Sequence, residues 1–351
     1  MYARILDLRL GPTESAFLWG ARQTGKSTLL RQAFPGTPRY DLLLSDEYRR
    51  LTARPELLRQ ECLALSKARS GPAPIVVVDE VQKIPELLDE IHWLIENVRV
   101  RFVLCGSSAR KLKRGRANLL GGRALRYEMH PLVSAEIPDF DLVTALNDGL
   151  LPPYHGKANA RRRLAAYVGD YLKEEIQAEA LTRNVGQFSR FLETAALANG
   201  EIVQYANLAR DGGVSAPTVR TYYEILQDTL LGRFVPGYVR RYKRRVVAAP
   251  RFYLFDVGVV GSLARRGRVR IGSELKVDFV LGDHEVAIEV KGTERVETHH
   301  LRGLRAIGEE YRFRRRVLVS CDPRRRAAEG GIEIVPWREF LRELWSGGVM
   351  S

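Results

Sequence analysis

The eight residues Gly20-Ala21-Arg22-Gln23-Thr24-Gly25-Lys26-Ser27 constrain this chain more than any other stretch, because they satisfy G-x-x-x-x-G-K-[ST] in a specific context. Ahead of them run Ala16-Phe17-Leu18-Trp19, apolar and strand-like; behind them Thr28-Leu29-Leu30-Arg31-Gln32 reads as a helix. Glycines let the backbone turn tightly enough for successive N–H groups to converge on one anion, and the helix N-terminus adds the positive end of its dipole. Lys26 is then placed to reach the β- and γ-phosphates of a nucleotide, and the Ser27 hydroxyl to ligate Mg²⁺. Residues 20–28 are the expected cradle for ATP, within an α/β domain built on a parallel sheet.

A second motif completes the expectation. Ile75-Val76-Val77-Val78 is a mostly β-branched run, the signature of a strand buried on both faces, and it ends in Asp79-Glu80. Asp79 is expected to complete the Mg²⁺ shell and Glu80 to polarise the attacking water, as phosphoryl transfer requires. A third strand, Arg101-Phe102-Val103-Leu104-Cys105, leads into Gly106-Ser107-Ser108.

At 351 residues the chain exceeds one ordinary core, so two or three domains are expected. No apolar run approaches the ~18 residues a membrane span needs, and the first residues lack the plan of a signal peptide. Cys62, Cys105 and Cys321 are far apart, which argues against both a disulfide framework and a zinc site. The expected location is the cytoplasm, with no membrane partner. The net charge is +14, and arginine dominates it. Basic residues crowd into Tyr238–Arg270, where Asp256 is the sole acid, and again at Arg312, Arg314–Arg316 and Arg324–Arg326. Such clustering fits either a polyanion such as double-stranded DNA or a solvated basic face.

Between Asp139 and Ala160, glycines and prolines mark a loop-rich join. Helical periodicity follows to Ala198, and then Gln204 to Arg220 carries the spacing of a helix-turn-helix, with Ala209, Gly213 and Val219 at the packing and turn positions. Ser215 is a natural N-cap and Pro217 suits the first turn. The second helix fits two roles: a DNA reader using Thr218, Arg220 and Thr221, or a lid element that packs against neighbouring domains. Farther on, Val277–Leu281 and Val286–Lys291 form an expected β-hairpin. With Asp283 and His284 at the turn, Asp278 lies opposite Glu289, and Lys291 shares that face. This resembles the D-x(n)-E-x-K metal centre of restriction-endonuclease-like folds, a possible second Mg²⁺ site.

The chain as a whole resembles the AAA+ ATPases. It is closest to a bacterial and archaeal family that joins an AAA-type core to a carboxyl-terminal domain of unknown function. The resemblance rests on Trp19–Lys26, Asp79-Glu80-Val81-Gln82-Lys83-Ile84-Pro85, Gly106–Arg110, Pro131-Leu132 and Tyr253–Gly258. It implies that Ser107, or alternatively Ser108, senses the γ-phosphate. Arg123, or alternatively Arg126, would be an arginine finger acting in a neighbouring subunit of a homo-oligomer. The implied division is an ATPase core at 1–138, a helical linker with a winged helix-turn-helix at 139–236, and a shortened restriction-endonuclease-like domain at 237–351. The expected activity is Mg²⁺-dependent ATP hydrolysis coupled to a DNA- or partner-binding module. An ATP-controlled switch and an ATP-regulated nuclease are the alternatives.

Overall fold

A computed structural model describes residues 2–68, 71–108, 120–171, 185–237, 249–268, 276–281 and 285–350. The first sheet comprises β1 (Ser15–Trp19), β2 (Arg39–Asp41), β3 (Ile75–Asp79), β4 (Arg101–Gly106) and β5 (Ala124–Glu128). All are parallel, in the order β2-β3-β4-β1-β5. Helices α1 (Lys26–Ala33), α2 (Ser45–Ala53), α3 (Glu56–Lys67) and α4 (Leu87–Asn97) connect the strands. Alternation along β1 sends Phe17 and Trp19 into one core with Val76, Val78, Phe102 and Leu104. Leu18 goes into the other, with Val77, Val103, Leu29 and Leu30. Two buried faces explain why the strands read as unbroken apolar runs. From β1 the chain leaves toward β2 on one side, and its other neighbour is β5. The crevice opens where such connections diverge, at the carboxyl end of β1.

The middle region differs from expectation in two places. The join contains a short helix, α5 (Leu142–Asp148), started by the Asp141 carboxylate, which accepts a hydrogen bond from the Thr144 N–H. Next, α6 (Ala160–Ala166) runs into a π-turn at Tyr167–Tyr171, and α7 (Val185–Leu197) follows. The helix-turn-helix forms as α8 (Tyr205–Gly212) and α9 (Ala216–Asp228). Gly213 holds the left-handed turn at φ 63°, and the Ser215 hydroxyl accepts from the Thr218 N–H at 3.3 Å. An antiparallel pair, β6 (Gly232–Val235) and β7 (Arg251–Leu254), leads into α10 (Val257–Leu263).

These elements share one core, in which Tyr223 meets Phe191 at 5.0 Å and Phe252 at 4.6 Å, each edge to face. Such contacts contribute about 0.5–1.5 kcal/mol each beyond area burial. β7 and α10 therefore pack with the middle region, past the seam that the sequence placed at 236/237. The antiparallel pairing of β7 with β6 decides where residues 251–254 pack.

The third sheet has the order β11-β12-β10-β9-β8, from β8 (Lys276–Leu281), β9 (Val286–Lys291), β10 (Arg315–Ser320), β11 (Arg326–Ala328) and β12 (Ile332–Pro336). Strands β9, β10 and β12 are parallel, and the two edge strands are antiparallel to their neighbours. Helices α11 (Arg302–Glu310) and α12 (Trp337–Trp345) cover its faces. Much of the second arginine cluster is neutralised inside this fold. Arg315 and Arg325 each bind both Glu333 and Glu343, and Arg326 pairs with Asp322 at 2.6 Å.

Candidate nucleotide site

The loop after β1 is closed by its own side chains. Lys26 is buried, and its ammonium donates to the carbonyls of Gly20 at 2.7 Å and Ala21 at 3.1 Å. The Thr24 hydroxyl donates to the Ala21 carbonyl at 2.8 Å. Gly25 holds φ 96° immediately before α1, a conformation costing a side-chain-bearing residue about 1–2 kcal/mol. The cationic end of Lys26 thus rests on the loop's own oxygens, beside the amino end of α1.

Across the crevice, the Ser27 hydroxyl donates to Asp79 Oδ2 at 2.7 Å. Asp79 Oδ1 is buried and has no hydrogen-bond partner. A carboxylate oxygen left unmatched in a closed interior costs about 1–3 kcal/mol or more. A hydroxyl beside an unmatched carboxylate oxygen is the hard oxygen donor set that Mg²⁺ takes, so these residues fit the ion. Glu80 follows with φ 59° and ψ 41°, a left-handed conformation in a residue with a side chain, and such strain of about 1–3 kcal/mol concentrates at functional sites. Burial pushes the Glu80 carboxyl above its ordinary range, opposed by the charge of Lys26 and a hydrogen bond from Gln82. Gln82 also donates to Ser107 Oγ at 3.0 Å, so Ser107 and Glu80 are joined through one side chain. Ser108, the alternative sensor, is fully buried beside it.

Three groups around the site escaped the sequence reading. Arg4 stands under the loop: its guanidinium donates to the Thr24 carbonyl at 2.6 Å, the His130 carbonyl at 2.7 Å and Glu136 at 2.9 Å. Breaking so buried an ion pair costs about 3–5 kcal/mol. The middle region touches the loop directly. Ala21 belongs to its core, the Tyr167 hydroxyl donates to the Arg22 carbonyl at 3.5 Å, and Tyr154 hydrogen-bonds the Gln23 side chain. Asp256 supports that contact, because its carboxylate accepts from Leu150 N at 2.7 Å and caps α10 through Val259 N at 2.9 Å. The resembling stretch Tyr253–Gly258 thus contains a structural cap. Arg4 and the Asp256–Leu150 contact act across large sequence separations and carry no local signature.

The other expected residues lie elsewhere. Arg123 is half exposed at the start of β5 and pairs with Glu96 of α4 in the same chain. Arg126 is exposed on β5, at the sheet edge. On α9, the Thr218 hydroxyl shares a hydrogen bond with Ser215, the Thr221 hydroxyl donates to the Pro217 carbonyl, and Arg220 stacks on the Tyr205 ring. In the third sheet, the register pairs Asp278 with Glu289, and Lys291 binds Glu289 at 2.7 Å. Residues 282–284, the expected turn, lie outside the described residues. No group of three or more His, Cys, Asp or Glu side chains placed to hold a metal occurs among the described residues. No helix among them is long and apolar enough to cross a membrane.

A parallel sheet with a phosphate loop after β1 and an acidic pair after β3 defines a P-loop nucleotide-binding domain. The match of residues 13–137 to the family described as "AAA domain" agrees, and residues 140–270 match a domain of unknown function, DUF8612. The second match extends past β7 and α10, in keeping with their packing. Two curated relatives, the uncharacterised proteins Mb2031c of Mycobacterium bovis and Rv2008c of Mycobacterium tuberculosis, are each 25% identical over 253 residues. The aligned part is 70% of this chain and 55% of theirs, so the chain spans about half the length of the curated relatives it matches. Among solved structures, the Orc1 protein of Aeropyrum pernix in complex with DNA is similar at 14% identity and TM-score 0.26, covering 72% of this chain and 86% of that one. The STAND protein PH0952 of Pyrococcus horikoshii, with a tetratricopeptide-repeat sensor, is similar at 13% identity and TM-score 0.24, covering 74% and 43%. At scores this low neither likeness bears on function.

Proposed function

We infer that this chain binds ATP with Mg²⁺ and hydrolyses it, and that occupancy of the phosphate loop is transmitted to the middle region packed upon it. The observation that carries this reading is Asp79, whose unmatched Oδ1 lies beside the oxygen that accepts from Ser27. Bound there, Mg²⁺ would neutralise charge on the β- and γ-phosphates. Lys26 exchanges its two carbonyl partners for phosphate oxygens. Glu80, buried and held in a left-handed turn, takes the proton side of the attacking water, and Ser107 faces the γ-phosphate. Arg123 would serve a neighbouring subunit after releasing Glu96, which makes the active form an oligomer.

The moving partner is the 140–270 region, because Ala21, Arg22 and Gln23 of the loop touch it directly. The same contact supports a second reading, a switch that holds ATP and hydrolyses it slowly. Double-stranded DNA remains the proposed polyanion, with α9 or the Tyr238–Arg270 run as its contact; residues 238–248 and 269–270 of that run lie outside the described residues. Steady-state hydrolysis tests the reading. Wild type should turn over ATP, Lys26→Ala should not, and Glu80→Gln should bind ATP without turnover. Full turnover by Glu80→Gln would remove Glu80 from its role. Stimulation by duplex DNA separates a DNA-coupled motor from a switch.

A further inference from the structure

The amide of Gln82 stands between the two residues that the ATPase reading gives to the γ-phosphate end of the site. Gln82 is 4% exposed and lies in the short 3₁₀ turn Val81–Lys83 that follows Glu80. Its Nε2 donates to Glu80 Oε2 and, at 3.0 Å, to Ser107 Oγ. The orientation of the amide is dictated by chemistry, since its carbonyl turned toward Glu80 would set acceptor against acceptor. The other end of the group is unmatched: Gln82 Oε1 is buried with no hydrogen-bond partner. A methionine of the same length would fill this volume without leaving a buried carbonyl bare. Packing alone therefore does not account for glutamine here, whereas two donated hydrogen bonds do.

The neighbouring strand is shaped around the same amide. A Cβ on Gly106 would fall 2.3 Å from Gln82 Oε1 and 2.6 Å from the Trp19 ring. Gly106 closes β4 immediately before Ser107, so the strand end leaves room for the Gln82 amide and the Trp19 ring together.

We propose that Gln82 is a positioning residue whose single NH₂ group fixes the hydrogen-bond roles of both Glu80 and Ser107, coupling the water-activating carboxylate to the residue that meets the γ-phosphate. One oxygen of Glu80 is committed to Gln82, and Oε1 is the one left for water. The Ser107 oxygen accepts from Gln82, which turns its hydrogen away from the amide. The two residues are thereby oriented together. A nucleotide lacking the γ-phosphate engages neither, so its binding is independent of Gln82. The proposal rests on the ATPase reading and is tested so that the two can fail separately.

The test uses the full chain as wild type, Gln82→Met, Ser107→Ala and the double variant. ATP kcat and KM are measured together with ADP affinity by displacement of a fluorescent ADP. Gln82→Met should lower kcat about tenfold or more, the scale on which small misplacements of reacting groups act, while KM for ATP and Kd for ADP stay within about twofold. Residues that act as a unit are non-additive, so the double variant should fall no more than about threefold below the worse single variant. Gly106→Ala, whose methyl would press on both the amide and the Trp19 ring, should lower kcat as well. A kcat for Gln82→Met within about twofold of wild type would overturn the proposal, and so would a double variant losing the product of the two single effects. Equal loss of ADP binding in Gln82→Met would reduce Gln82 to a packing residue. Wild-type protein that binds ATP and never hydrolyses it would refute the ATPase reading, and this inference with it.

Discussion

Two acidic sites can be compared in this molecule, one at the end of β3 and one on the β8–β9 hairpin, and they differ in what each leaves unmatched. At the first, Asp79 presents a buried oxygen with no partner, and Lys26 is parked on two carbonyls that a phosphate can replace. At the second, Glu289 is bound by Lys291 at 2.7 Å, and its other oxygen lies against Gly303 of α11. Both sites contain carboxylate and lysine at plausible spacing. A built site retains an unmet demand that its ligand fills, and a structural ion pair has already met its own. Glu289, already paired with Lys291, thus offers a cation less than Asp79 does.

The comparison breaks most readily at the two lysines. Lys26→Ala should weaken ATP binding about a hundredfold or more, whereas Lys291→Ala should leave it within about twofold, both read by titration with a fluorescent ATP analogue. A comparable loss in Lys291→Ala would mean that the two sites communicate. The metal requirement comes next in size. Asp79→Asn should raise the Mg²⁺ concentration for half-maximal hydrolysis about tenfold or more, and Glu289→Gln should not move it. Nor should the chain cut duplex DNA with Mg²⁺ or Mn²⁺; cleavage lost in Glu289→Gln would reverse the assignment.

A smaller effect concerns acid. The hydrogen bond from Arg315 holds the Glu333 carboxyl below its ordinary range. A depressed folded-state value gives stability that is present above the unfolded carboxyl value, about 4.3, and is lost as pH falls through the folded one. Melting of the third sheet, followed by its circular dichroism, should therefore fall more steeply below about pH 4 in wild type than in Arg315→Ala. Equal slopes would show that Arg325 alone holds Glu333 down or that solvent screens the Arg315 pair.

Which parts were legible from sequence follows the same physical line. The phosphate loop, the β3 acidic pair and the helix-turn-helix are readable because local backbone demands impose local residue types: glycine at Gly25 and Gly213, and a hydroxyl cap at Ser215. Arg4 and the contact of Asp256 with Leu150 could not be found this way. Arg4 acts on Glu136 and Thr24, and Asp256 on Leu150, so their meaning exists only after folding. Gln82 sits in the quoted stretch Asp79–Pro85, yet its partner Ser107 follows the end of another strand. The packing of β7 and α10 was hidden for a related reason. Charge along a sequence carries no pairing information, while β7 and α10 are allotted by what they bury.

The burial of Ala21 within the middle region's core bears on how this molecule can be taken apart. A fragment ending near residue 138 would carry every phosphate- and metal-binding group, but it would expose Ala21 and lose the support of Tyr154 and Tyr167. The complementary fragment would turn its aromatic interior toward solvent where Ala21 had been. Each half should therefore express poorly alone and recover when the two are made together. In that sense the nucleotide loop is an internal seam of the molecule, and the least divisible part of the chain is the part that its ligand touches.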